Sequence, residues 1–200
     1  MTHMRQTLFQ LVGILAVVGL FSGCASSAAG IATNIVLTAM GVKNDPASTP
    51  PKKVSLHVYA ADNLNADSNG KGLSAVLRIF KLKDATAFNQ ASMDSLGDTS
   101  LAKQFLGADL IEVKEQLLLP GQRYQFQEQV DAKNGFLAIA IQFRNPHPQR
   151  WRLAISNVEI KEGVPIVVGA HACALNVTSG LPERNELDSK FLVSIAPCKK

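Results

Sequence analysis

The sequence predicts a mainly β protein, a two-sheet antiparallel β-sandwich with a small helical insertion. Apolar and polar side chains alternate from Val54 to Tyr59, which is the pattern of a half-buried strand. Turn-forming residue pairs separate the later apolar runs, and helices do not alternate with the strands as in parallel α/β folds. The 200 residues, 46% of them apolar, suffice for one core rather than two. A net charge of +4, spread along the chain, is too small to indicate nucleic-acid binding.

Seven further strands are predicted after the first. Each is an apolar or alternating run bounded by a turn signal such as Asn69-Gly70 or Glu162-Gly163. Their predicted bounds are residues 73–82, 110–119, 123–130, 136–143, 151–160, 164–177 and 191–196.

Residues 84–107 interrupt this strand pattern and predict a helical insertion. Asp84 and Asp98 are suited to cap two short helices, and Gly107 is suited to end the second. We expect the insertion to cover one end or edge of the sandwich, because a covered edge resists unwanted strand pairing.

The amino terminus has the features of an export signal. Arg5 precedes an apolar run over residues 8–21, which is shorter than the ~20 residues that a membrane-spanning helix needs. The residues at 20–24, Leu-Phe-Ser-Gly-Cys, resemble the bacterial lipobox, in which cleavage precedes a lipid-modified cysteine. We therefore predict a lipoprotein signal peptide over residues 1–23 and acylation of Cys24. The alternatives are a secreted protein with a free Cys24 and a protein with a short membrane anchor.

Residues 24–53 are predicted to be a lipidated tether, and residues 54–200 to be the sandwich domain. Small residues follow Cys24, and the segment before Val54 is rich in Pro and charge, which favours extended chain. Ala25 stands where enteric lipoproteins kept at the inner membrane carry Asp. This resemblance implies an outer-membrane location, with the domain facing the periplasm.

Cys173 and Cys198 are predicted to form a disulfide. They are the two cysteines that remain after lipidation of Cys24, and an exported protein meets an oxidising compartment. A hairpin formed by residues 164–177 and 191–197 would place the two cysteines nearly opposite each other. Two unpaired thiols remain the alternative.

The sequence predicts no catalytic site, no metal site and no cofactor. The histidines are isolated from other metal-ligating residues, and serine lacks the Gly-x-Ser-x-Gly setting of a hydrolase nucleophile. The run from Asn65 to Gly70 starts like a calcium-binding loop, but Val76 stands at position twelve, where that loop needs Glu. The run is therefore interpreted either as a hairpin loop whose Asn and Asp bond their own backbone, or as a protruding recognition loop.

Trp151 has three arginines near it in sequence, Arg144, Arg150 and Arg152. Such a group can bind a sugar, a lipid phosphate or a protein, which would make the chain a periplasmic lipoprotein that binds a glycan or small ligand. Alternatively, Trp151 begins a strand and shares its buried face with Leu153, while the arginines are solvated.

Several segments in a fixed order resemble the TssJ family, also called SciN or VasD, of type VI secretion lipoproteins. The lipobox and Pro-rich tether come first, and the resemblance then runs through most of residues 20–178. The segments that carry it are Leu-His-Val-Tyr-Ala-Ala-Asp-Asn-Leu-Asn at 56–65, Leu-Ser-Ala-Val-Leu-Arg-Ile-Phe-Lys-Leu at 73–82 followed by Phe88, Leu-Pro-Gly at 119–121, and Phe143-Arg144 ahead of Trp151-Arg152.

The resemblance implies a transthyretin-like sandwich with a binding role and no enzymatic activity. Family members are anchored at the outer membrane and hold the periplasmic part of the inner-membrane protein TssM, which links them to TssL. The loop between the first two strands contributes to that contact in the family. In this chain the loop is residues 62–72, and the expected partner-binding residues at its tip are Asn65, Asp67, Ser68 and Asn69.

Overall fold

The computed structural model of the chain describes residues 49–182 and Cys198. The chain divides into two units, residues 1–48 and 49–200. The predicted signal peptide, Cys24, most of the tether and the predicted strand at 191–196 lie outside the described residues.

Eight strands form two four-stranded sheets within the described part of the chain, which confirms the predicted fold class. The strands are β1 (Lys52–Ala60), β2 (Ala75–Leu82), β3 (Leu110–Leu118), β4 (Arg123–Val130), β5 (Phe136–Gln142), β6 (Arg152–Ser156), β7 (Ile166–Ala170) and β8 (Leu175–Ser179). The strand order is β4-β1-β7-β8 in one sheet and β3-β2-β5-β6 in the other. Every pairing is antiparallel except that of β1 with β7, which is parallel. The first sheet is therefore mixed.

The core lies between the two sheets and follows from the alternation of side chains along each strand. In β1, Val54, Leu56 and Val58 are buried, whereas the residues between them face outward. Apolar residues of β2 and β5, such as Leu77 and Ile139, are buried on the facing sheet. Full burial of each such side chain contributes roughly 1.5–3 kcal/mol.

Charged residues close one side of the sandwich, where β3 and β4 are the edge strands of the two sheets. The Lys81 ammonium lies 2.6 Å from Glu112 and 3.0 Å from Glu128. Lys114 lies 2.9 Å from Glu128, whose side chain is only 2% exposed. Burial by itself lowers the pKa of Lys81, but its bonds to the two carboxylates outweigh that effect and raise the pKa above its ordinary value. The bond from Lys81 is the largest influence that lowers the pKa of Glu112.

The helical insertion covers the outer face of the β3-β2-β5-β6 sheet, not an end or edge as predicted. It contains helices α1 (Thr86–Gln90) and α2 (Thr99–Leu106) and two short 3-10 turns, Asp94–Leu96 and Gly107–Asp109. Phe88 of α1 packs edge-on against Phe80 of β2, with 5.3 Å between ring centroids. Small side chains on the same face of β5, Ala138 and Ala140, leave room for the helices.

Of the two predicted helix-capping residues, Asp98 caps its helix and Asp84 does not. The Asp98 carboxylate accepts hydrogen bonds from the N–H groups of Ser100 and Leu101 at the start of α2. Gly107 ends α2 with a positive φ of 53°, which favours glycine. Ala85, not Asp84, is the N-cap residue of α1 and makes no side-chain cap bond, although the Asp84 carboxylate accepts a bond from the N–H of Thr86 at 2.7 Å.

The predicted single strand over residues 164–177 is wrong, because the chain turns back within it. β7 and β8 form a hairpin joined by residues 171–174, in which the N–H of His171 donates to the Ala174 carbonyl. The predicted strand over residues 151–160 is also too long. It ends at Ser156, where the N–H of Ser156 donates to the Glu159 carboxylate and begins a turn.

Candidate functional site

Four connections between strands meet at one end of the sandwich, which we call the loop end. They are residues 61–74, 119–122, 143–151 and 171–174, and they join β1 to β2, β3 to β4, β5 to β6 and β7 to β8. The chain enters β1 at Lys52, which lies at the opposite end. Loops held by a rigid sheet framework are the usual place for binding residues.

A preformed turn projects from the first of these connections, and we call residues 67–71 the tip. The Asp67 carboxylate accepts bonds from the N–H groups of Asn69 (2.8 Å) and Lys71 (3.0 Å). Gly70 has a φ of 80°, which glycine adopts without strain. Ser68 and Asn69 are exposed, and Asp67 is half-buried. Asp67 bonds its own backbone, as one interpretation of residues 65–70 expected. Ser68 and Asn69 are exposed and can still serve in recognition, as the other interpretation expected.

Asn65 does not lie at the tip, which corrects its predicted position. It is only 5% exposed and adopts a φ of 49°. Its side-chain Nδ2 donates to the Ser74 carbonyl at 2.8 Å, and its Oδ1 accepts from the N–H of Arg144 at 2.7 Å. Its own N–H donates to the His171 carbonyl at 3.0 Å. Asn65 therefore joins three of the four connections, and both polar atoms of its side chain are bonded within the domain.

The β7–β8 turn at residues 171–174 accepts further bonds from its neighbours. The N–H of Ala66 donates to the Ala172 carbonyl at 3.1 Å, and the N–H of His147 donates to the Cys173 carbonyl at 2.8 Å. These bonds come from two different connections. Together with Asn65 they join three of the four connections into one hydrogen-bonded unit.

The Cys173–Cys198 disulfide also lies at the loop end. The sulfur atoms are 2.05 Å apart, and the Cα atoms are 5.7 Å apart. Cys173 and Ala174 form a small buried cluster, separate from the main core, with Cys198 packed against it. The predicted hairpin does not explain this pairing, because residues 164–177 belong to two strands and residues 191–197 lie outside the described residues.

Trp151 is part of the core. It is 5% exposed and directly precedes β6, in which Leu153 and Ile155 are buried as well. The strand interpretation of Trp151 is therefore correct. A ring buried in this way is not available to stack on a sugar.

Two of the three neighbouring arginines have structural contacts, so they are not the solvated residues that the strand interpretation assumed. Arg150 is buried, and the Arg152 guanidinium lies 4.6 Å from the centre of the Trp151 ring. Arg152 also donates to the carbonyl groups of Asn89 and Ala91 in the helical insertion, and burial lowers its pKa. Only Arg144 is exposed.

A shallow cleft of about 620 Å³ lies beside the loop end, on the outer face of the β4-β1-β7-β8 sheet. The Arg123 guanidinium lies over the Tyr59 ring, 5.1 Å from its centre. Across the cleft, His171 Nε2 and Asn176 Oδ1 are 2.8 Å apart, and both atoms lie close above Gly169. This cleft was not predicted from the sequence. The outward positions of β1 and β4 were a signal for it, but no sequence pattern brings β8 beside them.

Among the described residues, no three His, Cys, Asp or Glu side chains are grouped so that they could hold a metal ion. Within the same residues, no helix is both long enough and apolar enough to cross a membrane.

Comparison with protein families gives a match over most of the sandwich. Residues 52–177 match the T6SS-SciN family, described as type VI secretion lipoproteins, with VasD, EvfM and TssJ as members. The match spans more than half of the chain and includes all of β1 to β7 and part of β8. A comparison with curated proteins finds no match.

Solved structures of type VI secretion components resemble the chain. The lipoprotein TssJ1 from Pseudomonas aeruginosa is 28% identical with a TM-score of 0.57, over 68% of this chain and 100% of that chain. A chain in the structure described as the type VI membrane complex is 26% identical with a TM-score of 0.57, over 64% of this chain and 98% of that chain. A chain in the structure described as the TssM C-terminal domain from EAEC is 25% identical with a TM-score of 0.56, with the same coverage.

A further likeness concerns the fold alone. Lip from Serratia marcescens, described as a membrane-bound component of the type VI secretion system, is 20% identical with a TM-score of 0.53, over 64% of this chain and 98% of that chain. The family match and the likeness to TssJ1 agree with each other and with the sandwich described above. The chain therefore belongs to the TssJ family of type VI secretion lipoproteins, which is a family of secretion-complex components and not of enzymes.

Proposed function

We propose that the chain is an outer-membrane lipoprotein whose loop end binds the periplasmic domain of TssM, and through TssM is linked to TssL. The observation that carries the proposal is the loop end itself, in which one buried asparagine locks three connections together behind an exposed tip. Membership of the type VI lipoprotein family supports a role in the membrane complex. The proposed role is binding, without catalysis.

Anchoring is proposed to occur through acylated Cys24. The three acyl chains of a mature bacterial lipoprotein would make release from a bilayer negligible, since each buried CH₂ contributes about 0.8 kcal/mol. Residues 24–51 precede β1, and a fully extended chain of this length reaches on the order of 90 Å at ~3.3 Å per residue. The sandwich would therefore stay near the membrane but have considerable freedom to meet a partner.

The direction of the loop end fits this arrangement. The chain enters the sandwich at Lys52, and the tip lies at the other end. A tether attached at the end where Lys52 lies leaves the loop end free to face the periplasm. Confinement to one membrane surface raises the effective concentration of the domain near its partner, so that an interface of modest affinity can persist.

The tip is suited to binding because it is ordered before contact. Two backbone bonds to Asp67 fix the turn, so less conformational entropy is lost when a partner binds. The exposed groups are polar side chains, Ser68 and Asn69, followed by the cation Lys71. Such a surface favours a polar partner surface with hydrogen-bond acceptors.

A pull-down with the TssM periplasmic domain tests the proposal. Ser68→Arg and Asn69→Arg each place a bulky charge on the tip without touching the core, so we expect at least a tenfold loss of affinity. Val158→Arg is the matched control, because Val158 is exposed at the opposite end. Equal capture of all three variants and the wild type would move the interface away from the tip.

The glycan-binding or small-ligand-binding alternative depended on Trp151, which is buried. Calorimetry on the exported chain with soluble glycan fragments separates the two functions. The proposed function expects no heat of binding beyond dilution, and a saturable signal would favour the alternative.

A further inference from the structure

We propose that the Cys173–Cys198 disulfide positions the loop end for its partner, so that partner binding depends on the oxidised state of this bond. The inference rests on the proposed function, since it concerns the same binding surface. Its physical basis is a chain of contacts that leads from the disulfide to the tip.

The coupling begins at the turn of residues 171–174, to which the neighbouring connections are hydrogen-bonded. Three successive carbonyl groups of the turn, those of His171, Ala172 and Cys173, accept N–H bonds of 3.0, 3.1 and 2.8 Å. The donors are Asn65 and Ala66 of the first connection and His147 of the third. Displacement of the turn would therefore disturb both connections at once.

The second step is that Cys198 packs on this turn. Cys173 and Ala174 belong to a small apolar cluster separate from the main core, and among the described residues Cys198 is packed against it. The turn also contains Ala172, whose side chain is a single methyl group. Side chains this small bury little apolar surface, so the covalent bond adds a restraint on the turn beyond its backbone hydrogen bonds.

The third step is that residues 65–67 transmit the restraint from the turn to the tip. Asn65 and Ala66 are bonded to the turn, and Asp67, the residue that organises the tip, follows directly in the chain. A shift at residues 171–174 therefore reaches the tip within two residues. The side-chain bond of Asn65 to the N–H of Arg144 extends the same coupling to the third connection.

Cys198 lies outside the part of the chain that the family model matches. The family match ends at residue 177, so Cys198 lies 21 residues beyond it. All the strands but the end of β8 lie within the matched region. We therefore expect the sandwich to fold without the bond, and the loss to be concentrated at the loop end.

Formation of the bond removes two electrons and two protons from the two thiols, and a disulfide-donating oxidant of the periplasm would accept them. A dithiol reductant reverses the reaction: its two thiols become a disulfide, and Cys173 and Cys198 become thiols again. This chemistry allows one chain to be compared in two states without mutation.

Amide hydrogen exchange on the exported chain tests the coupling without any partner. We compare the oxidised chain, the chain reduced with dithiothreitol, and the double variant Cys173→Ser/Cys198→Ser. We expect exchange at the N–H groups of Asn65, Ala66 and His147 to rise at least tenfold in both altered states, while exchange in the strand cores changes less than twofold. Unchanged exchange at those three amides would overturn the proposal, and an equal rise throughout the sandwich would show a merely structural bond and overturn it too.

Affinity for the TssM periplasmic domain tests the consequence. We expect the double cysteine variant to bind at least tenfold more weakly than the oxidised wild type. Ile160→Ala is the control, because Ile160 is buried at the opposite end and its truncation lowers stability without touching the loop end. Wild-type affinity in the double variant would overturn the proposal even if exchange rises, and so would a matching loss in Ile160→Ala. Failure of the oxidised wild type to bind would instead refute the proposed function, and the exchange result would still decide whether the disulfide controls the loops.

Discussion

Replacement of Asn65 by alanine is expected to destabilise the domain by about 2–4 kcal/mol. The change removes both side-chain bonds of Asn65, to the Ser74 carbonyl and from the Arg144 N–H. Leaving such groups unpaired costs roughly 1–3 kcal/mol, towards the lower end here because Ser74 and Arg144 are exposed and water can replace part of the loss. Alanine at a φ of 49° adds on the order of 1 kcal/mol of backbone strain.

Urea denaturation of the purified exported chain measures this loss. Asn65→Gly is the matched variant that removes the same side-chain bonds without the steric strain, so it should be less destabilised than Asn65→Ala by roughly 1 kcal/mol. Asn63→Ala, an exposed neighbour, should change stability by less than about 0.5 kcal/mol. If Asn65→Ala is no less stable than Asn63→Ala, Asn65 is not the residue that locks the loop end.

Three further changes test other parts of the account. Phe88→Ala should cost about 3–5 kcal/mol in calorimetry, because it empties a fully buried aromatic site between the insertion and the sheet; a loss under about 1 kcal/mol would mean that the insertion is not packed there. Gly72→Ala should weaken both stability and partner capture, since its added Cβ would lie 2.0 Å from the Asp62 carbonyl oxygen at the base of the tip, and wild-type behaviour in both assays would contradict that close approach. Acid should also weaken the domain: the bond from Lys81 holds the pKa of Glu112 below its ordinary value, so its contribution is present above about pH 4.3 and is lost as pH falls through the lowered value. Urea midpoints between pH 6 and pH 3 should therefore fall less in Glu112→Gln than in the wild type, and parallel curves would count against this carboxylate.

The elements whose bounds depend on residues close together in the sequence could be predicted. The β4 bounds of Arg123–Val130 agree with the prediction because alternating residues and flanking turn signals define that strand without help from the rest of the chain. The α2 bounds follow from Asp98 and Gly107 in the same way, since a capping carboxylate and a residue with positive φ act within a few residues.

The break between β7 and β8 could not be predicted from local sequence. Residues 171–174 are His-Ala-Cys-Ala and contain none of the Gly, Pro, Asn or Asp that signal turns. The turn is instead held by bonds from Ala66 and His147, which are distant in sequence. The interior position of Asn65 was missed for the same reason, because its partners come from three separate connections.

A photoreactive amino acid at position 69 of the full-length lipoprotein, expressed in cells with the complete secretion system, tests the central claim most directly. Irradiation should produce a covalent adduct between this chain and TssM, because Asn69 is exposed on the tip of the loop end. The same amino acid at position 158, exposed at the opposite end, should produce none. An adduct with TssM from position 158 but not from position 69 would contradict the account.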